Sequence, residues 1–288
     1  MRAICKREFA SYFNSMTGWV FCAALSLFIG LYFMAYNLFS GHPYFSAALD
    51  ATLFLLMVLV PVLTMRSLAE ERRSRTDQLL LTAPVPIRSI VLGKFFAMLG
   101  VFAVPTAVAA VCPLIIRLNG TAFLKADYGT LLAFFLLGAA EIGAGLLVSA
   151  LTESPTVAAV GTFCLLLVVY LWDGLISYLP STAMGSLIGL FALLIVLCVV
   201  LDNLSKNWKV TGGVFAAGAA ALIGFYVKSS ASFQDLLPNI LGTFSPLAAF
   251  RRFAEDHVFD LTAVALYLSL IVLELFWTDQ VLQKRRWN

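Results

Sequence analysis

Long apolar stretches separated by short polar segments dominate this chain. Eight stretches are interpreted as membrane spans, at about residues 18–39, 47–65, 95–116, 130–152, 157–178, 185–201, 211–227 and 261–280. A span needs about 20 mostly apolar residues and must satisfy its own backbone hydrogen bonds in lipid, so each is predicted to be a helix. The sixth and seventh stretches are near the lower limit, and a re-entrant pair is the alternative over 185–227. The pattern predicts an all-α membrane protein, a polytopic helical bundle of about eight transmembrane helices (six plus an inserted pair).

Three polar segments carry helical patterns of their own inside one membrane domain that covers residues 1–288. Residues 1–15 predict an interfacial helix whose apolar side chains share one face. Residues 228–260 predict two short helices on the outer side, separated at Ser245-Pro246. Residues 66–94 lie between the second and third spans, and a helix is predicted over 67–81 that ends before Pro84.

Composition supports lipid as the main solvent of the chain. Hydrophobic residues make up 61% and charged residues 12%, with a mean hydropathy of +0.93, whereas soluble domains carry about a quarter charged residues. Disorder and a secreted disulfide scaffold are excluded. The five cysteines form no CxxC pair and are interpreted as packing residues. The basic residues sit at the ends of spans rather than on one extended face, which argues against nucleic acid as a partner.

The distribution of basic residues predicts the orientation of the spans. With the N-terminus inside, fourteen of the 19 lysines and arginines fall in inner segments and five in outer ones. Inner loops carry the excess of basic residues in membrane proteins. We therefore expect a multi-pass protein of the cytoplasmic (inner) cell membrane with both termini in the cytoplasm.

The inner segment 66–94 has charges of both signs. It holds six basic residues together with Glu70, Glu71 and Asp77, and the charge rule for orientation does not require acidic residues. Mixed charges on a short helix suit docking by ion pairs to a soluble protein. The alternative is a basic loop that only enforces topology.

The sequence shows no catalytic motif of its own. A P-loop for ATP is absent, because Gly93-Lys94 is followed by Phe95 and lacks the upstream glycine. No HExxH or GxSxG motif is present, and His42 and His257 are the only histidines. The chain is predicted not to be an enzyme and to have no metal site or cofactor, so any power must come from a partner.

Several motifs in the inner segment and beyond occur in a characteristic order. They are Glu70-Glu71-Arg72-Arg73, Thr76, Leu79-Leu80-Leu81-Thr82-Ala83-Pro84-Val85 and Val91-Leu92-Gly93-Lys94, preceded by Thr64-Met65-Arg66-Ser67 and followed by Leu151-Thr152-Glu153-Ser154 and Lys284-Arg285-Arg286-Trp287. In order and spacing they resemble the signature of ABC-2-type transporter permeases, closest to the gliding-motility-associated permease branch. The resemblance covers nearly the whole chain.

The resemblance implies a permease subunit of an ATP-driven transporter, an exporter in the leading interpretation. In that family the inner helix after the second span is the coupling helix, which inserts into a groove of a separate cytoplasmic ATPase subunit. It implies that Glu70, Glu71, Arg72, Arg73 and Thr76 meet this ATPase, which binds ATP and Mg²⁺. Arg75 stands where the family usually has glycine.

The resemblance also implies a second permease, the same chain or a related one, as a partner. The alternative function is a non-transporting membrane anchor that transmits ATPase-driven force to an envelope or gliding-type apparatus. A large envelope-domain auxiliary protein would then be an additional partner. An ion-driven secondary carrier would need inverted repeats, and none is apparent in the sequence.

Glu141, near the middle of the fourth span, is the residue we single out inside the membrane. An ionisable residue at this depth is costly and is a candidate for lining a transport path, or else it is protonated or hydrogen-bonded to a neighbouring helix. Glu274 is expected at the inner interface. Small residues are expected where helices approach closely: Ala139, Gly143 and Gly145 in the fourth span, and Gly213, Ala217 and Ala221 in the seventh.

Overall fold

The computed structural model of the protein describes residues 1–76, 85–205, 208–228 and 233–287, and its regular elements there are helices. The helices are α1 (Arg2–Asn14), α2 (Met16–Phe33, continued by a π-helical Met34–Phe39), α3 (Ser46–Thr64), α4 (Ala69–Arg73), α5 (Ile87–Ala109), α6 (Cys112–Asn119), α7 (Leu124–Leu151), α8 (Pro155–Ser177), α9 (Ala183–Ser205), α10 (Trp208–Lys228), α11 (Leu236–Thr243), α12 (Pro246–Ala254) and α13 (Leu261–Trp287).

The described residues contain six helical stretches that are long and apolar enough to cross a membrane. They are Met16–Phe39, Ser46–Arg73, Ile87–Asn119, Leu124–Leu151, Pro155–Ser177 and Leu261–Arg286. They coincide with six of the eight predicted spans. The predicted sixth and seventh spans are helical too, but their apolar stretches, Ala183–Val196 and Gly212–Tyr226, are shorter. The predicted count of eight is therefore not reached in the part of the chain that the structure describes.

The sequence pattern predicts one membrane domain, and the structure shows two compact units. The first unit is Met1–Tyr170 together with Ala249–Asn288, and the second is Leu171–Ala248. The first unit thus contains most of the candidate spans and both ends of this sequence.

Helix α7 lies at the centre of the first unit, where it packs against α3, α5 and α13. Glycines on α7 allow this close approach, because a Cβ at Gly138 would meet the Phe102 ring and one at Gly145 would meet the side chain of Thr64. The expectation of close helix contacts at Gly143 and Gly145 is confirmed. Phe134 of α7, with no exposed surface, also contacts the Phe102 ring, with 5.8 Å between the ring centroids.

The two ends of the first unit can be told apart by their polar contacts. At one end the Asp127 carboxylate accepts a hydrogen bond of 2.8 Å from the backbone N–H of Phe45, and the Tyr44 ring stacks on His257 at 3.7 Å. At the opposite end Lys94 pairs with Glu8, and Arg88 pairs with Asp279. Helix α1 and the C-terminal part of α13 therefore lie at the same end of this unit.

The second unit is built on the helical hairpin of α9 and α10. Leu194 of α9 lies over Gly218 of α10, and Leu237 of α11 lies over Gly189. A Cβ at Gly213 would meet no atom of the described residues within 4 Å, whereas one at Gly218 would meet Leu194; the close contact expected at Gly213 stays a prediction. The two short helices predicted within 228–260 are confirmed as α11 and α12.

Candidate functional site

The candidate site is built around α4, which is separated from the end of α3 by four residues. Its first turn holds Glu70 and Glu71 and its last turn Arg72 and Arg73, an order that suits the helix dipole. The start of the helix is satisfied by Ser149 of α7, whose hydroxyl accepts hydrogen bonds from the backbone N–H groups of Leu68 (3.2 Å) and Ala69 (3.1 Å). The Ser149 hydroxyl itself donates to the Met65 carbonyl at 3.4 Å. A buried side chain of a membrane helix thus fixes where α4 begins.

Helix α4 is shorter than the helix predicted over 67–81. It ends at Arg73, and Arg75 follows in the left-handed region with φ of 58°. The Ser74 hydroxyl donates to the Glu70 carbonyl at 2.9 Å, and the Thr76 N–H donates to the Glu71 carbonyl at 2.9 Å, which closes the turn. Glycine is the residue that adopts this conformation without steric cost, which gives a physical reason for the glycine usual at this position. The rest of the predicted helix, 77–81, lies outside the described residues.

A buried lysine joins α4 to two other elements. Lys94 of α5 is 1% exposed, and its Nζ donates to the Ser67 carbonyl at 2.9 Å and to Glu71 Oε1 at 2.7 Å. The same Nζ lies 3.3 Å from Glu8 Oε2 of α1. Helices α1, α4 and α5 therefore meet at one ammonium group, and the carboxylate of Glu71 is directed into the protein.

Opposite charges balance within this cluster. Arg7 of α1 pairs with Glu8 at 2.7 Å and lies 3.9 Å from Glu71, so two cations face two carboxylates. The hydrogen bond to Glu8 raises the pKa of Arg7. One turn further along α1, the Tyr12 hydroxyl donates to the Leu63 carbonyl at 3.2 Å, and burial raises the Tyr12 pKa above its usual range. Helix α1, predicted to be interfacial, is held to the bundle by these polar contacts.

Arg72 forms the third link between α4 and the bundle. Its Nη2 lies 2.6 Å from Glu153 Oε1, and its Nη1 donates to the Leu151 carbonyl at 3.4 Å. Leu151 is the last residue of α7, and Glu153 lies in the turn that follows it. The motif Leu151-Thr152-Glu153-Ser154, noted in the sequence, therefore contacts the motif that contains Arg72.

The remaining predicted residues face outward. Glu70, Arg73 and Thr76 are exposed, as are Arg66 and Arg75. Two clefts of about 620 and 490 Å³ flank α4, the first reaching Thr76 and the second reaching Arg73. Glu70 lines both clefts, and its carboxylate lies 3.7 Å from the Arg66 guanidinium. We call Arg66, Glu70, Arg73, Arg75 and Thr76 the outward face.

The five residues predicted to meet an ATPase thus divide into two groups. Glu71 and Arg72 contact the bundle, whereas Glu70, Arg73 and Thr76 belong to the outward face. Sequence reasoning did not assign Glu8 or Ser149 to the site, because their partners, Lys94 and the backbone of Leu68, are distant from them in sequence. Lys94 was part of a quoted motif, but its spacing of 23 positions from Glu71 carries no local signal.

Glu141 of α7 has a buried Oε2 atom with no hydrogen-bond partner among the described residues. Glu274 of α13 has the same property, and its Oε2 packs against Gly143 of α7. This atom is enclosed between two helices, and the position of Glu274 relative to the inner interface stays a prediction. Each carboxyl lies where an ionised group is costly to hold.

The described residues contain no group of three or more His, Cys, Asp and Glu placed to hold a metal ion. The polar contacts of the site are ion pairs and hydrogen bonds between helices. Such an arrangement fixes α4 to the bundle and presents a charged surface beside it.

Comparison with known proteins agrees with this geometry. Residues 2–256 match the family model described as ABC-2 family transporter protein. No curated protein matches the chain. Members of this family are membrane components of transporters and are not themselves catalytic. With six candidate membrane helices and a match over most of its length, this multi-pass membrane protein belongs to the ABC-2 transporter family.

Proposed function

We propose that the chain is the permease subunit of an ATP-driven exporter and that a separate cytoplasmic ATPase docks on the outward face of α4. The observation that carries this proposal is the division of α4 into an exposed charged face and a face fixed to the bundle. A helix with only a topological role would need neither the capping by Ser149 nor the buried pair of Glu71 with Lys94. Charges of both signs on the outward face suit recognition by a soluble partner.

The three links of α4 supply a route for movement. A displacement of α4 by the ATPase would act on α5 through Lys94, on α7 through Ser149 and on the α7–α8 turn through Arg72. A coupling of this kind requires contacts that differ between two states of the bundle. In this proposal ATP and Mg²⁺ are bound by the ATPase, and a second permease, identical or related, completes the transporter.

Co-purification tests the docking face. Glu70→Lys together with Arg73→Glu reverses two exposed charges, and we expect loss of most of the ATPase that co-purifies with the wild-type chain in mild detergent. Arg117→Glu is the control, because it also changes an exposed charge but lies on α6. Equal recovery of the ATPase with both variants, at unchanged membrane insertion, would contradict the docking proposal.

A second pair of variants tests the link through Arg72. Arg72→Glu should leave ATPase docking intact but lower the ATP hydrolysis of the complex, because its partner Glu153 belongs to the α7–α8 turn. Adding Glu153→Arg restores an ion pair of reversed polarity and should recover hydrolysis. No recovery in the double variant would mean that Arg72 acts through other contacts.

We further infer, from the order of the sequence motifs, that the chain is closest to the gliding-motility-associated permease branch. A membrane anchor that transmits force is therefore retained as the alternative function.

Reconstitution of the complex with its ATPase in vesicles separates the exporter from the anchor. An exporter moves solute on addition of ATP, and an anchor hydrolyses ATP without flux.

Within an exporter we propose Glu141 as a path-lining residue, so that Glu141→Gln lowers flux while thermal stability is retained.

A further inference from the structure

An apolar groove lies between the first turns of α5 and the C-terminal half of α13. It has a volume of about 230 Å³, and its accessible walls include Leu92 of α5 with Val272 and Phe276 of α13. Arg88 and Asp279 complete the lining. Helix α5 runs away from the end of the bundle that carries α1, and α13 runs toward it. Arg88 and Asp279 therefore stand at the polar end of the groove, and its apolar walls extend toward the membrane interior.

The Arg88 side chain is oriented by Asp279, and most of its guanidinium is accessible to a ligand. Its Nε donates to Asp279 Oδ2 at 3.4 Å, and the same oxygen accepts a hydrogen bond of 2.9 Å from Gln283. The Asp279 side chain is 6% exposed and that of Arg88 is 75% exposed. A guanidinium has five N–H donors. Only the Nε–H is engaged by a described residue, so the Nη groups face outward.

A second cation stands on the same face of α13. Arg286 follows Asp279 by seven residues, which is two helical turns and about 10 Å further along the axis. Its side chain is exposed. Within the lining Asp279 balances Arg88, and Arg286 adds a further positive charge beyond the polar end of the groove.

We propose that this groove binds a phospholipid with an anionic headgroup, taken from the leaflet at the end of the bundle that carries α1. The acyl chain lies along Leu92, Val272 and Phe276, and the lipid phosphate accepts hydrogen bonds from the Nη groups of Arg88. Arginine binds phosphate through two parallel N–H groups, and basic pockets between membrane helices bind anionic headgroups. A zwitterionic headgroup carries its own cation close to Arg88 and Arg286 and binds less well.

The affinity of the full-length chain for spin-labelled lipids tests the proposal. Purified protein is placed in phosphatidylcholine vesicles, and the association of labelled phosphatidylglycerol is compared with that of labelled phosphatidylcholine by electron paramagnetic resonance. The wild-type chain should prefer phosphatidylglycerol. Arg88→Gln should reduce this preference about fivefold, since one basic residue near an anionic lipid surface changes the affinity by about that factor. Arg88→Lys keeps the positive charge and should retain part of the preference for phosphatidylglycerol.

Two further variants decide between a site and a diffuse surface effect. Lys284→Gln removes a positive charge from the same end of α13, but position 284 lies about 140° around the helix from Asp279. It should change the preference much less than Arg88→Gln, and an equal change would overturn the proposal. Val272→Phe fills the groove and should weaken association of the lipid, since Val272 is an exposed wall residue. Unchanged association would show that no acyl chain lies there and would also overturn it.

Discussion

Lys94 illustrates how a single side chain organises the candidate site. It comes from the start of a membrane helix, yet its ammonium group is enclosed by a backbone carbonyl and two carboxylates. A buried charge of this kind is stable only with partners in place, because its hydration is lost. Glu8 and Glu71 in turn need the cation, because their carboxylates are mostly covered as well.

Lys94→Gln should therefore lower the free energy of unfolding by about 3 kcal/mol, because two partly buried carboxylates lose their cation. Arg73→Gln is the matched control: an exposed basic residue on α4 that should change stability by less than about 0.5 kcal/mol. Denaturant unfolding in detergent, followed by circular dichroism, measures both. Similar midpoints for the two variants would mean that the cluster does not stabilise the fold.

Arg75 has a backbone conformation that is unfavourable for its residue type. Its φ of 58° is unfavourable for a side chain with a Cβ atom by about 1 kcal/mol. Arg75→Gly should raise stability by up to this amount, whereas Arg73→Gly, at the last residue of α4, should lower it by up to about 1 kcal/mol. The two substitutions remove the same charge from neighbouring positions, so a result of equal sign would contradict the turn at 74–76.

At the scale of helices, close packing in the first unit depends on the small residues of α7. Gly138, Gly143 and Gly145 each face a side chain of a different helix: Phe102 of α5, Glu274 of α13 and Thr64 of α3. Three neighbours thus approach one central helix at positions where it has no side chain.

Gly145→Ala should destabilise the protein by about 1–3 kcal/mol, because the new methyl group overlaps the β-branched side chain of Thr64, which has no exposed surface. Gly213→Ala, in α10, should be neutral or stabilising, because no atom of the described residues lies within 4 Å of the new methyl group and alanine favours the helix. Thermal unfolding of both variants in the same detergent makes the comparison. Destabilisation by Gly213→Ala of the same size would show that packing at α10 differs from the structure.

At the scale of the whole molecule, the orientation in the membrane remains the central prediction. Helix α1, α4 and the C-terminal part of α13 lie at one end of the first unit, and the distribution of basic residues assigns that end to the cytoplasm. Docking of an ATPase on α4 requires the same assignment. The lipid groove lies at this end as well.

Cysteine labelling tests the orientation directly. In a background without the native cysteines, Arg73→Cys should react with a membrane-impermeant maleimide only after the cells are opened. Lys125→Cys, at the start of α7 and so at the opposite end of the first unit, should react in intact cells. The reverse pattern would exclude a cytoplasmic ATPase as the partner of α4.

The sequence alone determined the membrane-spanning helices and the two short helices at 236–254. In lipid, a long apolar run has no water to satisfy its backbone, so a helix is the outcome whatever its neighbours are. The start of α12 after the break follows from Ser245-Pro246, because proline is favoured at the first position of a helix and the Ser245 hydroxyl accepts a hydrogen bond from the Ala248 N–H. The residues of the docking segment were also visible, because charges of both signs stand out between apolar runs.

Only the tertiary structure decided which of these charged residues face inward. Glu70 and Glu71 are adjacent and chemically alike, and their separation into an exposed and an inward-facing carboxylate depends on Lys94, which is distant in sequence. The capping of α4 by Ser149 and the enclosure of Glu274 against Gly143 likewise depend on how helices meet. Helix formation is a local response to the solvent, whereas the choice of partner for each polar group is set by packing between distant parts of the chain.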